Sequence, residues 1–174
     1  MNRIEKKFGK LFMNPIDYAR KLGVKIGQDC RFMGHPSFGS EPWLVEIGNH
    51  VELSGQVTII EHDGGTWIFR GEEGCEDIIK YGKVIIHDNS FVGMRAILMP
   101  GVEIGPNSVV GAGSVVTKSV PPNCVYGGNP AHYICSVEDY KKKCIENTPN
   151  YDKDEYKTNK KKVVTELLKN KMKL

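Results

Sequence analysis

Apolar residues recur along the middle of this chain at intervals of six. The leading aliphatics are Ile86, Val92, Leu98, Ile104, Val110 and Val116. Two residues ahead of the last five stand smaller side chains: Ser90, Ala96, Val102, Ser108 and Ser114. Glycine follows the aliphatic at Gly93, Gly105 and Gly111. An earlier block keeps the rule with Ile47, Leu53 and Ile59 preceded by Val45, Val51 and Val57, and a shorter one has Ile26 and Phe32 preceded by Val24 and Cys30. A helix needs apolar residues three and four apart and a lone amphipathic strand alternates strictly, so a period of six fits neither. It fits short strands joined by tight turns in which Gly, Asn or Asp supply positive φ. Alternation within each strand sends the aliphatic and the small residue two before it to the same side. Three such strands close a triangular coil, and coils stack at about the 4.8 Å spacing of a sheet. The pattern predicts an all-β solenoid, a parallel β-helix of hexapeptide repeats over residues 24–135. A β-sandwich would not demand aliphatics at multiples of six.

The beat stops once, in "IIEHDGGTWIFR" (59–70), and resumes near residue 84. The 21 residues from Asp63 to Lys83 read as a loop excursion, with Gly64 and Gly65 for mobility and then Trp67 and Phe69. The ends carry helical signals instead. "NPIDYARKLG" offers Asn14 as N-cap, Pro15 at the first helical position and Gly23 as a stop. "SVEDYKKKCIEN" opens on Ser136 with acids in its first turn, and "KKKVVTELLKNKMK" reads as a third helix. The expected organisation is a helical segment over 1–23, the β-helix with its excursion at 63–83 over 24–135, and a lysine-rich helical segment over 136–174. Helices at both ends would cover the open faces of a solenoid.

Composition narrows the function classes. A net charge of +3 on 174 residues, with the basic residues gathered at the ends, does not indicate a nucleic-acid binder. Five cysteines without a CxxC pair read as reduced thiols. No run approaches the ~20 apolar residues that span a bilayer, and the N-terminus shows no apolar core of a signal peptide. The expectation is a cytoplasmic protein that does not engage membranes.

Residues 84–134, "VIIHDNSFVGMRAILMPGVEIGPNSVVGAGSVVTKSVPPNCVYGGNPAHYI", resemble the closing coils of hexapeptide-repeat acetyltransferases, the maltose, galactoside and capsular-polysaccharide O-acetyltransferases among them. "GAGSVVTK" followed by "PPN" and "GNPA" carries the resemblance, which extends over roughly residues 24–135. It implies a left-handed β-helix, a homotrimer, acetyl-CoA as donor and no metal. It also implies that His62, at the mouth of the excursion, is the general base in a site between two subunits. The chemistry suits this residue type. A sugar hydroxyl is a poor nucleophile until a base takes its proton, and a free imidazole is largely neutral at pH 7. Glu61 and Asp63 flank His62 but neighbours on an extended chain face opposite ways, so its orienting carboxylate is expected from elsewhere.

The resemblance also implies a donor groove at Met94, Ala112, Thr117 and Lys118. Met94 stands where relatives place a serine, which leaves its backbone N–H for the oxyanion. His132 and Cys135 replace arginines near the coenzyme, with Lys141, Lys142 and Lys143 either compensating or forming a solvated helix face. His35 and Glu41, in "MGHPSFGSEPW", fall in a stretch that contacts the acceptor in related enzymes. Trp67 and Phe69 either stack on a sugar ring or pin the loop to a neighbouring subunit. His87 and His50 read as turn residues. Three alternatives stand beside an O-acetyltransferase. An N-acetyltransferase would act on a nucleotide sugar or an antibiotic. A γ-type carbonic anhydrase-like lyase would need three histidines on one zinc. A non-catalytic scaffold would leave His62 unexplained.

Overall fold

Strands of two or three residues carry the hexapeptide beat, and the turns between them close each coil. The structure, a computed structural model, describes Gly9 and residues 11–171, with backbone only at 170 and 171. After helix α1 (Pro15–Leu22) come β1 (Lys25–Ile26), β2 (Arg31–Phe32), β3 (Ser37–Phe38), β4 (Val45–Ile47), β5 (Glu52–Leu53) and β6 (Thr58–Ile59). Beyond the excursion follow β7 (Val84–Ile86), β8 (Phe91–Val92), β9 (Ile97–Leu98), β10 (Glu103–Ile104), β11 (Val109–Val110) and β12 (Val115–Val116). The order ends with β13 (Cys124–Gly127), β14 (His132–Ser136), α2 (Val137–Asn147) and α3 (Lys153–Lys171).

Strands three apart in the chain pair in parallel, and β13 continues the second sheet after β11. The first sheet runs β1-β4-β7-β10, the second β2-β5-β8-β11-β13, and the third β3-β6-β9-β12. Register stacks like on like: Ile26, Ile47, Ile86 and Ile104 form one row. Phe32, Leu53, Val92 and Val110 form the second, and Phe38, Ile59, Leu98 and Val116 the third. These rows, with the small residues two places earlier, are the buried core. Burying each Ile, Leu or Val contributes about 1.5–3 kcal/mol. The inward serines are satisfied: Ser90 Oγ donates to Gly105 O at 3.0 Å and Ser108 Oγ to Pro121 O at 2.8 Å.

One corner uses left-handed residues throughout, with φ of 53–60° at Asp29, His50, Asn89, Asn107 and Asn123. Their side chains form a ladder in which Asn89 Nδ2 donates to Asn107 Oδ1 at 2.7 Å and His50 Nδ1 meets Asn89 Oδ1 at 2.8 Å. His50 is therefore a turn residue, as its sequence context suggests.

At the N-terminal end α1 forms as expected. Asn14 Oδ1 accepts from Ile16 N–H at 2.9 Å, Gly23 ends the helix at φ 106°, and Ala19 packs into the first coil. At the other end the chain reverses after residue 127 and β14 pairs antiparallel with β13, an element outside the hexapeptide pattern. α2 starts directly after Ser136. α3 begins at Lys153, ahead of the lysine run that suggested it, and breaks its helical geometry at Asn159. The last residues of that expected helix lie outside the described ones. Contacts divide the chain between Val137 and Glu138 into two compact units. Among the described residues no helix is long and apolar enough to cross a membrane.

Candidate active site

The corner between the third and first sheets carries His62. Gly39 N–H donates to Ile59 O, Ile60 N–H to Leu98 O and Met99 N–H to Val116 O, at 3.2, 3.0 and 3.0 Å. Gly39, Ile60, Met99 and Thr117 therefore follow one another down this edge. Two residues beyond Gly39 and Ile60 come Glu41 and His62, and His62 Nδ1 lies 2.7 Å from Glu41 Oε2. Glu41 is held locally: with φ −116° and ψ 53° it precedes a 3₁₀ turn over Pro42–Leu44, which returns Leu44 N–H to Glu41 O at 2.9 Å. Its side chain is 14% exposed against 38% for His62. Burial opposes ionisation of Glu41, but hydrogen bonds from Ser40 and His62 and the His62 charge outweigh it and hold its carboxyl below the ordinary value. A carboxylate on Nδ1 fixes the tautomer that leaves Nε2 able to accept a proton. Glu41, expected beside the acceptor, is thus the partner of His62 that local sequence could not name.

The excursion is pinched at its base rather than loose. Asp63 N–H donates to Lys80 O at 2.9 Å, Gly82 N–H to Glu61 O at 2.8 Å, and Lys80 Nζ meets Asp63 Oδ2 at 2.8 Å. Tyr81 bridges to His62 and sets its ring edge-on to the imidazole, centroids 6.0 Å apart. Gly64 and Gly65, expected to confer mobility, instead open a 3₁₀ helix over Gly64–Phe69 that Asp63 caps through Gly65 N–H at 2.9 Å. Trp67 and Ile68 stand 79% and 82% exposed on it.

Glu61 faces the other way, into the coil, and is wholly buried. Neither oxygen has a hydrogen-bond partner; the backbone N–H groups of Glu61 and Gly39 lie near without bonding geometry. Burial pushes its carboxyl above the ordinary value, with Glu41 adding to the push and both N–H groups and His62 opposing it. Only the alternation of Val57, Ile59 and Glu61 hints at this inward position.

The remaining expected residues occupy two corners. Thr117 and Lys118 follow β12 on the His62 edge and are exposed, and Lys118 makes no ion pair among the described residues. Met94 and Ala112 occupy the corner between the second and third sheets, where Gly113 N–H donates to Met94 O at 2.8 Å. His35 follows β2 at that same corner and packs edge-on against Tyr18, centroids 5.2 Å apart. Met94, Ala112 and His35 thus stand at a different corner of the coil from His62. His132 lies on β14, its Nδ1 3.3 Å from Pro130 O, and Cys135 is on the same strand. His87 Nε2 meets Glu103 Oε2 at 3.0 Å. A cavity of about 510 Å³ opens elsewhere, on the outer face of the second sheet between Arg31, His50 and Asn107. Among the described residues no group of three or more His, Cys, Asp or Glu is placed to hold a metal ion.

Residues 83–118 match the family described as bacterial transferase hexapeptide (six repeats). Over 164 residues the chain is 47% identical to Protein CapG of Staphylococcus aureus, covering 92% of this chain and 93% of that one. It is also 37% identical over 115 residues to a galactoside O-acetyltransferase of Lactococcus lactis subsp. lactis, covering 63% of this chain and 52% of that enzyme. This chain belongs to the hexapeptide-repeat acetyltransferases. The acetyltransferase spans about half the length of that galactoside enzyme. Among solved structures it resembles a maltose O-acetyltransferase from Clostridium difficile 630, with 26% identity, a TM-score of 0.57, and 77% and 85% of the two chains covered. Its coils are those of a left-handed β-helix.

Proposed function

We propose that this acetyltransferase moves an acetyl group from acetyl-CoA to a hydroxyl of a sugar or polysaccharide precursor, with His62 as general base. The observation that carries the reading is the 2.7 Å contact between His62 Nδ1 and Glu41 Oε2. His62 Nε2 takes the acceptor's hydroxyl proton as the oxygen attacks the thioester carbonyl. The tetrahedral intermediate then expels the CoA thiolate, which recovers that proton from the imidazolium. Glu41, kept ionised, offsets the positive charge that the ring carries meanwhile. The backbone N–H of Met94 is the assigned oxyanion donor, and Ala112, Thr117 and Lys118 are assigned to the coenzyme.

The two-corner distribution supports a site shared between copies. His62, Thr117 and Lys118 lie on one edge of the triangle and Met94, Ala112 and His35 on another. In a homotrimer the first edge of one copy would meet the second edge of the next. Exposed Trp67, Ile68, Ile78 and Ile79 on the excursion suit coverage by a neighbour or an acceptor ring. The relatives named for galactoside and maltose support a sugar acceptor, and the name CapG is compatible with a capsule precursor. Five free cysteines suit a reducing compartment, so we place the enzyme in the cytoplasm.

The deciding experiment follows thiol release from acetyl-CoA with a panel of sugars, nucleotide sugars and amino acceptors. Thiol release with a hydroxyl acceptor, abolished in His62→Ala, is expected. Turnover confined to amino acceptors would overturn the O-acetyl reading, and turnover without His62 would overturn the base assignment.

A further inference from the structure

Glycine at position 39 has no backbone reason to be there. Its φ lies outside the left-handed region, so an L-residue could adopt it. The obstacle is a side chain one coil away. The three atoms nearest to a Cβ at Gly39 all belong to Glu61: Oε2, which it would overlap, Cδ at 3.5 Å and the backbone N at 3.8 Å. Glu61 continues the inward series Val57 and Ile59 and, like them, is wholly buried, yet it ends in a carboxyl without a hydrogen bond. An uncompensated polar group inside an aliphatic coil is costly, and an ionised one far more so. Two residues past Gly39 stands Glu41, and next to Glu61 in sequence stands His62.

We propose that Glu61 is a positioning residue: its buried carboxyl fills the space that Gly39 leaves and holds the turn 39–41 where Glu41 meets His62. The inference rests on His62 being the base. Gly39 and Glu61 form a lock-and-key pair beneath the turn, and the pair acts on chemistry only through Glu41. The charged groups that act on Glu61 are Glu41 and His62, one opposing its ionisation and the other favouring it. A neutral Glu61 adds no negative charge of its own beside the Glu41 carboxylate that meets His62 Nδ1 at 2.7 Å.

The test combines kinetics with a signal that does not need turnover. In histidine-labelled enzyme the proton between His62 Nδ1 and Glu41 gives a downfield NMR resonance, which Glu41→Gln identifies by shifting it. Glu61→Ala is expected to broaden or shift that resonance and lower kcat by about a hundredfold, the scale of a small misplacement, with KM for acetyl-CoA nearly unchanged. Glu61→Gln should recover at least tenfold of that loss. Gly39→Ala should behave like Glu61→Ala, and the double variant should be more active than Gly39→Ala alone, because the new Cβ enters space the carboxyl has left. An unmoved resonance in a folded Glu61→Ala, or effects of the two substitutions that simply multiply, would overturn the positioning role. If no variant of His62 affects turnover, the base assignment fails, while the resonance still reports whether Glu61 holds Glu41.

Discussion

Glu41 and His62 are 21 residues apart in the chain and 2.7 Å apart in the fold. One coil separates them, and the contact orients the imidazole as the proposed base role requires. His62→Ala is expected to lower kcat by about 10²–10⁴ with little change in acetyl-CoA affinity. Glu41→Gln should lose about a hundredfold or more, since an amide could hold the wrong tautomer. Steady-state kinetics with both substrates varied checks this; a variant retaining half the wild-type kcat would remove its residue from the mechanism.

Glu61 predicts a pH dependence of stability with a definite sign. Burial raises its folded-state pKa above the ordinary value of 4.5. Its contribution is therefore fully present below 4.5 and lost as pH rises through the raised value. The thermal midpoint of the wild type should fall relative to that of Glu61→Gln as pH increases across that window. Parallel curves from pH 4 to pH 9 would show that Glu61 is not held neutral.

Lys118 is exposed on the His62 edge without an ion-pair partner among the described residues, and the family resemblance assigns it to the coenzyme. Lys118→Ala should raise KM for acetyl-CoA roughly tenfold, or about 1.4 kcal/mol. Added salt should shrink the effect, and a donor lacking the nucleotide phosphates should not show it. An unchanged KM at low salt would transfer the role to Lys141, Lys142 or Lys143.

A site shared between copies predicts both mass and complementation. Light scattering should give about three times the 19.5 kDa chain. His62→Ala and Ala112→Glu disable different edges, so subunits mixed and reassembled should be more active than either parent. A fully active monomer would contradict the arrangement.

The glycines of the repeat are not equivalent. A Cβ on Gly93 would meet Ala112 N at 2.5 Å and one on Gly105 would meet Pro122 N at 2.5 Å, whereas at Gly111 the nearest atom is 3.5 Å away. Gly93→Ala and Gly105→Ala should each destabilise by about 1–3 kcal/mol, because stacked backbone has to move, and Gly111→Ala should be nearly neutral. Chemical denaturation of the three variants checks the order.

The sequence by itself determined the coil: each apolar position at a multiple of six faces inward because strand alternation is a local property of the backbone. Ile59, Leu98 and Val116 were legible as core before any stacking was known, and so was His62 at the break. The stacking offset was not legible. Leu98 and Val116 pair 18 residues apart, while Phe38 and Ile59 pair 21 apart because the 3₁₀ turn at Pro42–Leu44 lengthens that coil by three. An offset of 18 would have set Leu44, not Glu41, beside His62. Tertiary structure alone decided that partner, the burial of Glu61 against Gly39 and the separation of the donor residues onto two corners. Each depends on which turn lies one coil away, and that distance is set by loop lengths summed along the chain rather than by any residue's neighbours.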